Sequence, residues 1–317
     1  MESLLTMKDA IEAVEQGFRE FALGNVKMPV RSSVSTRGGV MFTMPAYVGG
    51  KANALGQKIV TVYPDNPAEH NLPTTLATVE LLNPQTGECL TIMDGGFLTA
   101  IRTGAVSGVA TKYLARTSST RVAIFGAGAQ AQTQLEAAAE VRKIEAAKVF
   151  DTVPGRAREY CERMSSKLKV ELEEGRTPRD TVRGADIIIC ASTSSVPVFS
   201  GEWLEPGMHI NGIGSFRPDI RELDTVSVQR SKVVVDSADA ALSEAGDLIM
   251  PIAEKAISAG HIWAELGEII LGKKAGRTSE QEITLFKSVG LALQDVSTAL
   301  VVYKRAIEQG KGINVTL

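Results

Sequence analysis

Residues 122–140 read VAIFGAGAQAQTQLEAAAE: an apolar run breaks into small residues and resumes as an Ala-rich helical pattern. The break, Gly126-Ala127-Gly128-Ala129-Gln130-Ala131, has the form G-x-G-x-x-A and stands between a strand-like and a helix-like segment. Each small residue has a use if a pyrophosphate must approach the main chain. Gly126 permits the tight turn, Gly128 removes the Cβ that would hold phosphates away, and Ala131 allows close helix–strand packing. The helix N-terminus, with Ala127, Ala129 and Gln130, offers N–H groups and the positive end of its dipole. Asp151 ends the next strand-like run, AAKVFD, twenty-three residues after Gly128. A carboxylate there accepts hydrogen bonds from an adenosine ribose diol and repels a 2′-phosphate, which predicts NAD. Arg156 and Arg158 follow closely and could form a phosphate pocket, so NADP is the alternative.

These residues need a scaffold, and the flanking sequence supplies two kinds. Thr6, with Asp9 three residues on, predicts the capped start of an amphipathic helix carrying Ile11, Val14, Phe18 and Phe21, with Gly24 as its stop. From residue 40 to 92 short β-like runs follow (VMFTMPAYV, ALGQKIVTVYP, LATVELL, CLTIMD), with a hairpin turn at Asn83–Gly87. A small-residue helix is expected from Phe97 to Ala115. Beyond residue 120 the runs RVAIFG, AAKVFD, GADIIICAST, MHINGIGS and KVVVDS alternate with helical stretches, the signature of a parallel doubly wound sheet. A long helix is expected from about Ser279 to Glu308, packing back on the first unit and making it discontinuous.

Composition narrows the function classes. The chain has 317 residues, 44% hydrophobic and 22% charged, with a net charge of −3. No basic stripe suggests a nucleic-acid partner. No apolar run has membrane-spanning length, and the N-terminus does not read as a signal peptide. Cys89, Cys161 and Cys190 are odd in number and scattered, as are His70, His209 and His261. Free thiols in a reducing cytoplasm are expected, with no metal site. No G-x-S-x-G elbow supports a hydrolase.

The chain resembles the ornithine cyclodeaminase/mu-crystallin family over nearly its whole length. The likeness rests on GQKIVTVYPDN (56–66), TGECLTIMDGGFLTAIRTGAVSGVA (86–110), the FGAGAQAQ loop, NGIGSFRPDIRELD (211–224) and WAELGEIILGKKAGRTSEQEITLFKSVGLALQD (263–295). The resemblance implies an α/β homodimer in which a Rossmann-type doubly wound domain (116–284) is inserted into a discontinuous α+β substrate and dimerisation domain (1–115 plus 285–317). Members often carry an extra strand before the first helix; almost nothing precedes Thr6 here, so a shorter sheet edge is expected.

Family enzymes move a hydride between a nicotinamide and the α-carbon of a small amino acid or its imine. By this resemblance Arg31 and Arg102 hold the substrate carboxylate, for which a guanidinium fork is suited. Lys58 sits beside the reacting nitrogen, and a desolvated lysine can exchange protons near neutrality. Met44 and Tyr63 line the pocket or simply pack. Arg102 and Thr103, with Gly104, reach the cofactor phosphates. Ala191, Ser192 and Thr193, and Asn211 to Ser215 including Gly214, end strands where an open parallel sheet binds its ligand. Ser288 and Gly290 match a segment near the nicotinamide.

One departure ranks the activities. Cyclodeaminases and related archaeal alanine dehydrogenases carry a catalytic Asp after the I-G-x step, where this chain has Phe216. Phenylalanine cannot exchange a proton, and cyclodeamination asks more acid–base work than imine reduction. An NAD(P)H-dependent reductase of small α-imino acids is expected first, with Phe216 favouring a compact apolar substrate body. An ornithine or lysine cyclodeaminase, an ammonia-lyase with tightly held NAD, is the alternative. A cofactor-dependent small-ligand binding protein is the third reading, disfavoured because Arg31, Lys58 and Arg102 are all retained.

Overall fold

Thr6 caps helix α1 (Met7–Ala22): its hydroxyl accepts from the Asp9 N–H, and the Asp9 carboxylate accepts from the Thr6 N–H. This is the reciprocal arrangement that the T-x-x-D spacing predicts. Gly24 follows the helix with φ +79°, a conformation that favours glycine. The computed structural model describes residues 1 and 3–315.

After α1 come β1 (Val26–Lys27), β2 (Ser32–Ser35), β3 (Val40–Val48), β4 (Ala54–Val62), the single turn α2 (Asn66–Glu69), β5 (Thr75–Leu82), β6 (Cys89–Asp94) and α3 (Gly95–Leu114). There follow β7 (Arg121–Phe125), α4 (Ala129–Val141), β8 (Ala146–Phe150), α5 (Arg156–Lys167), β9 (Glu171–Glu174), α6 (Pro178–Val182), β10 (Ile187–Cys190), β11 (His209–Gly212) and α7 (Thr225–Gln229). The chain ends with β12 (Lys232–Val235), α8 (Ala238–Glu244), α9 (Gly246–Ala253), β13 (Ile262–Glu265), α10 (Leu266–Ile270), β14 (Thr284–Lys287) and α11 (Ala292–Glu308).

Two compact units result, Met1–Arg102 with Leu291–Leu317, and Thr103–Gly290. Thr316 and Leu317 lie outside the described residues. In the first unit β1-β3-β4-β5-β6 form an antiparallel sheet, with β2 on β3. Along β4 the side chains alternate, so Ala54, Lys58 and Val60 are buried with Gly56 while Ile59 is exposed. Helix α11 packs across β3, β4 and β5 and against α1. Gly17 lets those helices approach closely, since a Cβ there would meet Ser297 Oγ at 2.7 Å.

The second unit is a parallel sheet in the order β13-β12-β14-β11-β10-β7-β8-β9. Strand order reverses between β7 and β10, which are hydrogen-bonded neighbours. Ligands of open α/β sheets bind outside the carboxyl ends of the strands at such a point. Its core gathers Val122, Ile124, Leu135, Val149, Met164, Ile187 and Ile189 around Tyr160. The Tyr160 hydroxyl donates to the Ala131 carbonyl at 2.9 Å.

The helix expected from Ser279 to Glu308 is not one element. Residues 284–287 are the strand β14, hydrogen-bonded between β12 and β11, and the helix starts only at Ala292. A strand buried on both faces loses its alternation and reads like buried helix. Gly290, at φ +83°, separates the two. The second boundary therefore falls after Gly290 rather than near 285. The first falls inside α3, after Arg102 rather than after Ala115.

Candidate active site

The register of the first sheet sets Lys58 on β4 opposite Met44 on β3, both buried. Helix α11 adds Gln294 and Asp295, and the first half of α3 adds Arg102. Lys58 Nζ lies 2.9 Å from Asp295 Oδ1, and Arg102 Nε lies 2.9 Å from the same oxygen. Arg102 Nη1 donates to Gln294 Oε1 at 2.5 Å. A guanidinium donates only, so that contact fixes which end of the Gln294 amide faces it. Lys58 is 1% exposed and Asp295 0%. One carboxylate therefore faces two buried cations.

Burial pushes the Lys58 ammonium down to about 7 from an ordinary 10.5, and the positive Arg102 adds to this, while Asp295 pulls the other way. Arg31 also lowers it, more weakly. Arg31 is half-buried, with its guanidinium 4.8 Å from the centre of the Phe42 ring. Tyr63 accepts a hydrogen bond from the Thr36 hydroxyl at 3.1 Å. Among the described residues, three buried polar atoms of this cluster make no hydrogen bond within the protein: Oδ2 of Asp295, an acceptor, and Nε2 of Gln294 and Nε of Arg102, donors. Such atoms are costly unless a ligand meets them. An α-imino acid offers the complementary pair, an iminium N–H and a carboxylate.

The structure thus brings Lys58, Met44 and Arg102 together, with Arg31 near enough to act on Lys58 electrostatically. Sequence reasoning missed Asp295 and Gln294. The available signal was an acid inside the apolar stripe of LALQDVSTALVV, a placement that normally demands a partner.

In the second unit the G-x-G-x-x-A segment links β7 to α4. Gly126 has φ +92°, and a Cβ on it would meet the Ala191 carbonyl oxygen at 2.6 Å. A Cβ on Gly128 would meet nothing within 4 Å, so this face of the loop is open. No side chain caps α4, leaving its first N–H groups without a side-chain acceptor. Gln130 Oε1 is buried without a partner. These features fit a dinucleotide whose pyrophosphate lies against the helix N-terminus. Ala127 is a correction: its side chain joins the core, and its N–H donates to Asp151 Oδ2 at 2.9 Å. The N–H groups that can face phosphate therefore begin at Gly128, and Ala129 beside it is exposed.

Asp151 also accepts from the Val153 N–H through Oδ1 at 2.9 Å. A carboxylate has about four acceptor positions, so capacity for a ribose diol remains. Arg156 and Arg158 are exposed, and Arg158 Nε lies 3.9 Å from Glu174. The Thr103 carbonyl accepts from Gln134 Nε2 at 2.9 Å. Gly104 serves packing, because a Cβ there would meet the Thr133 carbonyl oxygen at 2.4 Å.

Ala191, Ser192 and Thr193 follow β10, and Gly214, Ser215 and the half-buried Phe216 follow β11, all at carboxyl strand ends. Ser288 and Gly290 are held from below, Ser288 Oγ and the Gly290 N–H both donating to Asp236 Oδ2, at 2.7 and 2.9 Å. Asn211 donates to the Thr111 hydroxyl at 3.0 Å and serves the interior. His209 contacts Thr284 Oγ1 and Asn211 Oδ1, and burial drives its pKa down to about 3, so it is neutral.

A family model described as "Ornithine cyclodeaminase/mu-crystallin family" matches residues 1–310. A Δ1-pyrroline-2-carboxylate reductase of Bacillus cereus is 42% identical over 313 residues, covering 98% of this chain and 95% of its own. The structure of Thermococcus litoralis Δ1-pyrroline-2-carboxylate reductase in complex with NADH and L-proline superposes with a TM-score of 0.96 at 47% identity, covering 99% of this chain and 97% of that one. An archaeal alanine dehydrogenase dimer with bound NAD follows at a TM-score of 0.94 and 36% identity, covering 99% of this chain and 96% of its own. The chain belongs to the ornithine cyclodeaminase/mu-crystallin family.

Proposed function

We propose that this chain is an NADH-dependent reductase of small cyclic α-imino acids, of the Δ1-pyrroline-2-carboxylate type. The observation that carries the reading is the buried Lys58–Asp295–Arg102 cluster, with an acceptor on Asp295 and a donor on Gln294 that have no partner in the protein. Relatives of 42% and 47% identity named for that substrate support it.

The bound nicotinamide supplies the hydride; the protein supplies binding, orientation and protons. Arg102, with five donors and more than its present contacts use, holds the substrate carboxylate together with Gln294 and Arg31. Asp295 Oδ2 accepts the iminium N–H and stabilises positive charge on the substrate nitrogen, which makes the α-carbon electrophilic. Lys58 keeps that nitrogen protonated: its ammonium donates below its pKa and its amine accepts above it. Met44 gives the apolar wall, and Phe216 adds no acid–base group, in keeping with reduction rather than amine release. Asp151 favours NADH over NADPH by repelling a 2′-phosphate.

Purified protein offered Δ1-pyrroline-2-carboxylate should oxidise NADH stoichiometrically, faster than NADPH, and release no ammonia from ornithine. Ammonia from ornithine without net cofactor turnover would establish the cyclodeaminase instead.

The protein is also inferred to be a homodimer through the outer face of the first sheet, where Ile59, Leu76 and Ile92 are exposed. The dimeric archaeal relative supports the dimeric state, and the exposed apolar side chains are what point to this face. Sedimentation equilibrium should give twice 33.8 kDa; a 33.8 kDa species at all concentrations would remove the inference. Among the described residues no helix is long and apolar enough to cross a membrane. Cys89, Cys161 and Cys190 are free thiols, which supports a reducing, cytoplasmic setting.

A further inference from the structure

Glu222, in the segment between β11 and α7, is fully buried and takes no part in the chemistry above. Its Oε1 accepts from the Ser192 N–H at 2.7 Å and the Ser192 hydroxyl at 2.6 Å. Its Oε2 accepts from the Gly214 N–H at 2.6 Å. Ser192 and Gly214 lie beyond the carboxyl ends of β10 and β11, which are neighbours in the sheet. One carboxylate therefore ties two adjacent strand-end turns. The fit is tight, since a Cβ on Gly214 would lie 2.2 Å from the Ser192 carbonyl oxygen and 2.5 Å from Glu222 Oε2. The tied turn is also the wall of the glycine loop: a Cβ on Gly126 would meet Ala191 O at 2.6 Å and Ser192 Cα at 2.9 Å.

We propose that Glu222 is a positioning residue for the dinucleotide, holding in its charged form the Ser192 and Gly214 turns against which the glycine loop is set. This rests on the NADH-dependent reading above. Three donors converge on the carboxylate, and two are main-chain N–H groups that cannot reverse their role. A proton on Oε2 would meet only the Gly214 N–H, and one on Oε1 would need the Ser192 hydroxyl to turn from donor to acceptor, so protonation loosens the tie.

The surroundings bring that proton within reach of ordinary conditions. Burial, with Asp247, raises Glu222 to about 7 against the lowering effect of Lys287 and of the Ser192 hydrogen bonds. Asp247, on α9, accepts the Glu222 and Leu223 N–H groups at 2.7 and 2.8 Å. Lys287, on β14, lies 2.8 Å from Asp247 Oδ2 and donates to the Ser215 carbonyl at 2.6 Å. The Cys190 thiol, on β10, is held well above its usual range by burial and stays neutral. Charged Glu222 leaves this buried group with a net charge of −1; protonated Glu222 leaves it neutral.

The test is NADH affinity by fluorescence titration, with circular dichroism beside it to check folding. Wild-type protein should bind NADH about tenfold more weakly at about pH 6 than at about pH 8, as expected for a group titrating midway. Glu222→Gln should bind about tenfold or more weakly than wild type at the higher pH, having lost a charged acceptor, and its affinity should be flat with pH. Glu222→Asp should bind weakly yet keep a pH dependence, because it retains charge but is too short to span both turns. Lys58 titrates in the same range, so the titration is repeated in Lys58→Met, where the profile should persist. A flat wild-type profile, tighter binding in acid, wild-type behaviour of Glu222→Gln, or loss of the profile in Lys58→Met would each overturn the proposal. Wild-type protein that binds no NADH at any pH would instead remove the dinucleotide reading beneath it.

Discussion

Lys58→Met lowers kcat for imine reduction about a hundred- to ten-thousandfold, the range a positioned proton donor contributes. Methionine keeps the apolar stem packed beside Met44 and removes only the ammonium, so the fold should survive. NADH binding should be retained, since the glycine loop belongs to the other unit. The sign of the pH dependence follows from the lowered pKa of about 7. Reduction consumes a proton, and Lys58 carries one below that value. The wild-type reduction rate should therefore be highest in mild acid and fall about tenfold per pH unit once Lys58 has lost its proton. Oxidation of the cyclic amino acid needs the free amine and should rise over the same interval. Stopped-flow rates in both directions, for wild type and variant, check this. A variant with wild-type kcat would remove Lys58 from the mechanism.

Asp295→Asn should be the most destabilising single polar substitution at the site. It leaves Lys58 and Arg102 buried without their shared counter-charge, and breaking such a pair costs about 3–5 kcal/mol. The loss depends on pH with a definite sign. Lys58 has a folded pKa of about 7 against an ordinary 10.5, so between those values the unfolded chain binds more protons, and stability rises with pH. Asp295 is the group that holds the lysine up, so removing it widens that window toward acid. The loss relative to wild type should be largest in mild acid and shrink as pH rises to neutrality, because Lys58 sheds its proton at lower pH in the variant than in wild type. The alkaline fall of the reduction profile should move to lower pH with it. Urea unfolding at two pH values, with the kinetic profile, checks both. A variant as stable as wild type in mild acid, with an unmoved profile, would mean that Asp295 does not govern Lys58.

Much of this protein is legible in its sequence because the signals are local. The Thr6 cap needs only Asp9 three residues on. The glycine loop needs only a strand before it and a helix after it, and Asp151 needs only its place at the end of the next strand. Alternation along β4 puts Lys58 and Ile59 on opposite faces without knowledge of any partner. The family likeness then gave Arg31, Lys58 and Arg102 a common purpose.

What the tertiary structure decided is pairing across long separations. Residues 284–287 look like helix until β12 and β11 are seen to cover both edges of that segment, for burial on both faces erases the period of two. Asp295 stands 237 positions from Lys58 and becomes its counter-charge only when α11 lies across the sheet. Asp151 was expected to wait for a ribose and also buttresses the loop through the Ala127 N–H. Glu222 looked like one acid in RPDIRELD until two strand ends met on its carboxylate. The chain's own order determined which elements form and which residues carry reactive groups. Packing alone determined which charges share a dry interior, and that burial sets the protonation of Lys58 and Glu222.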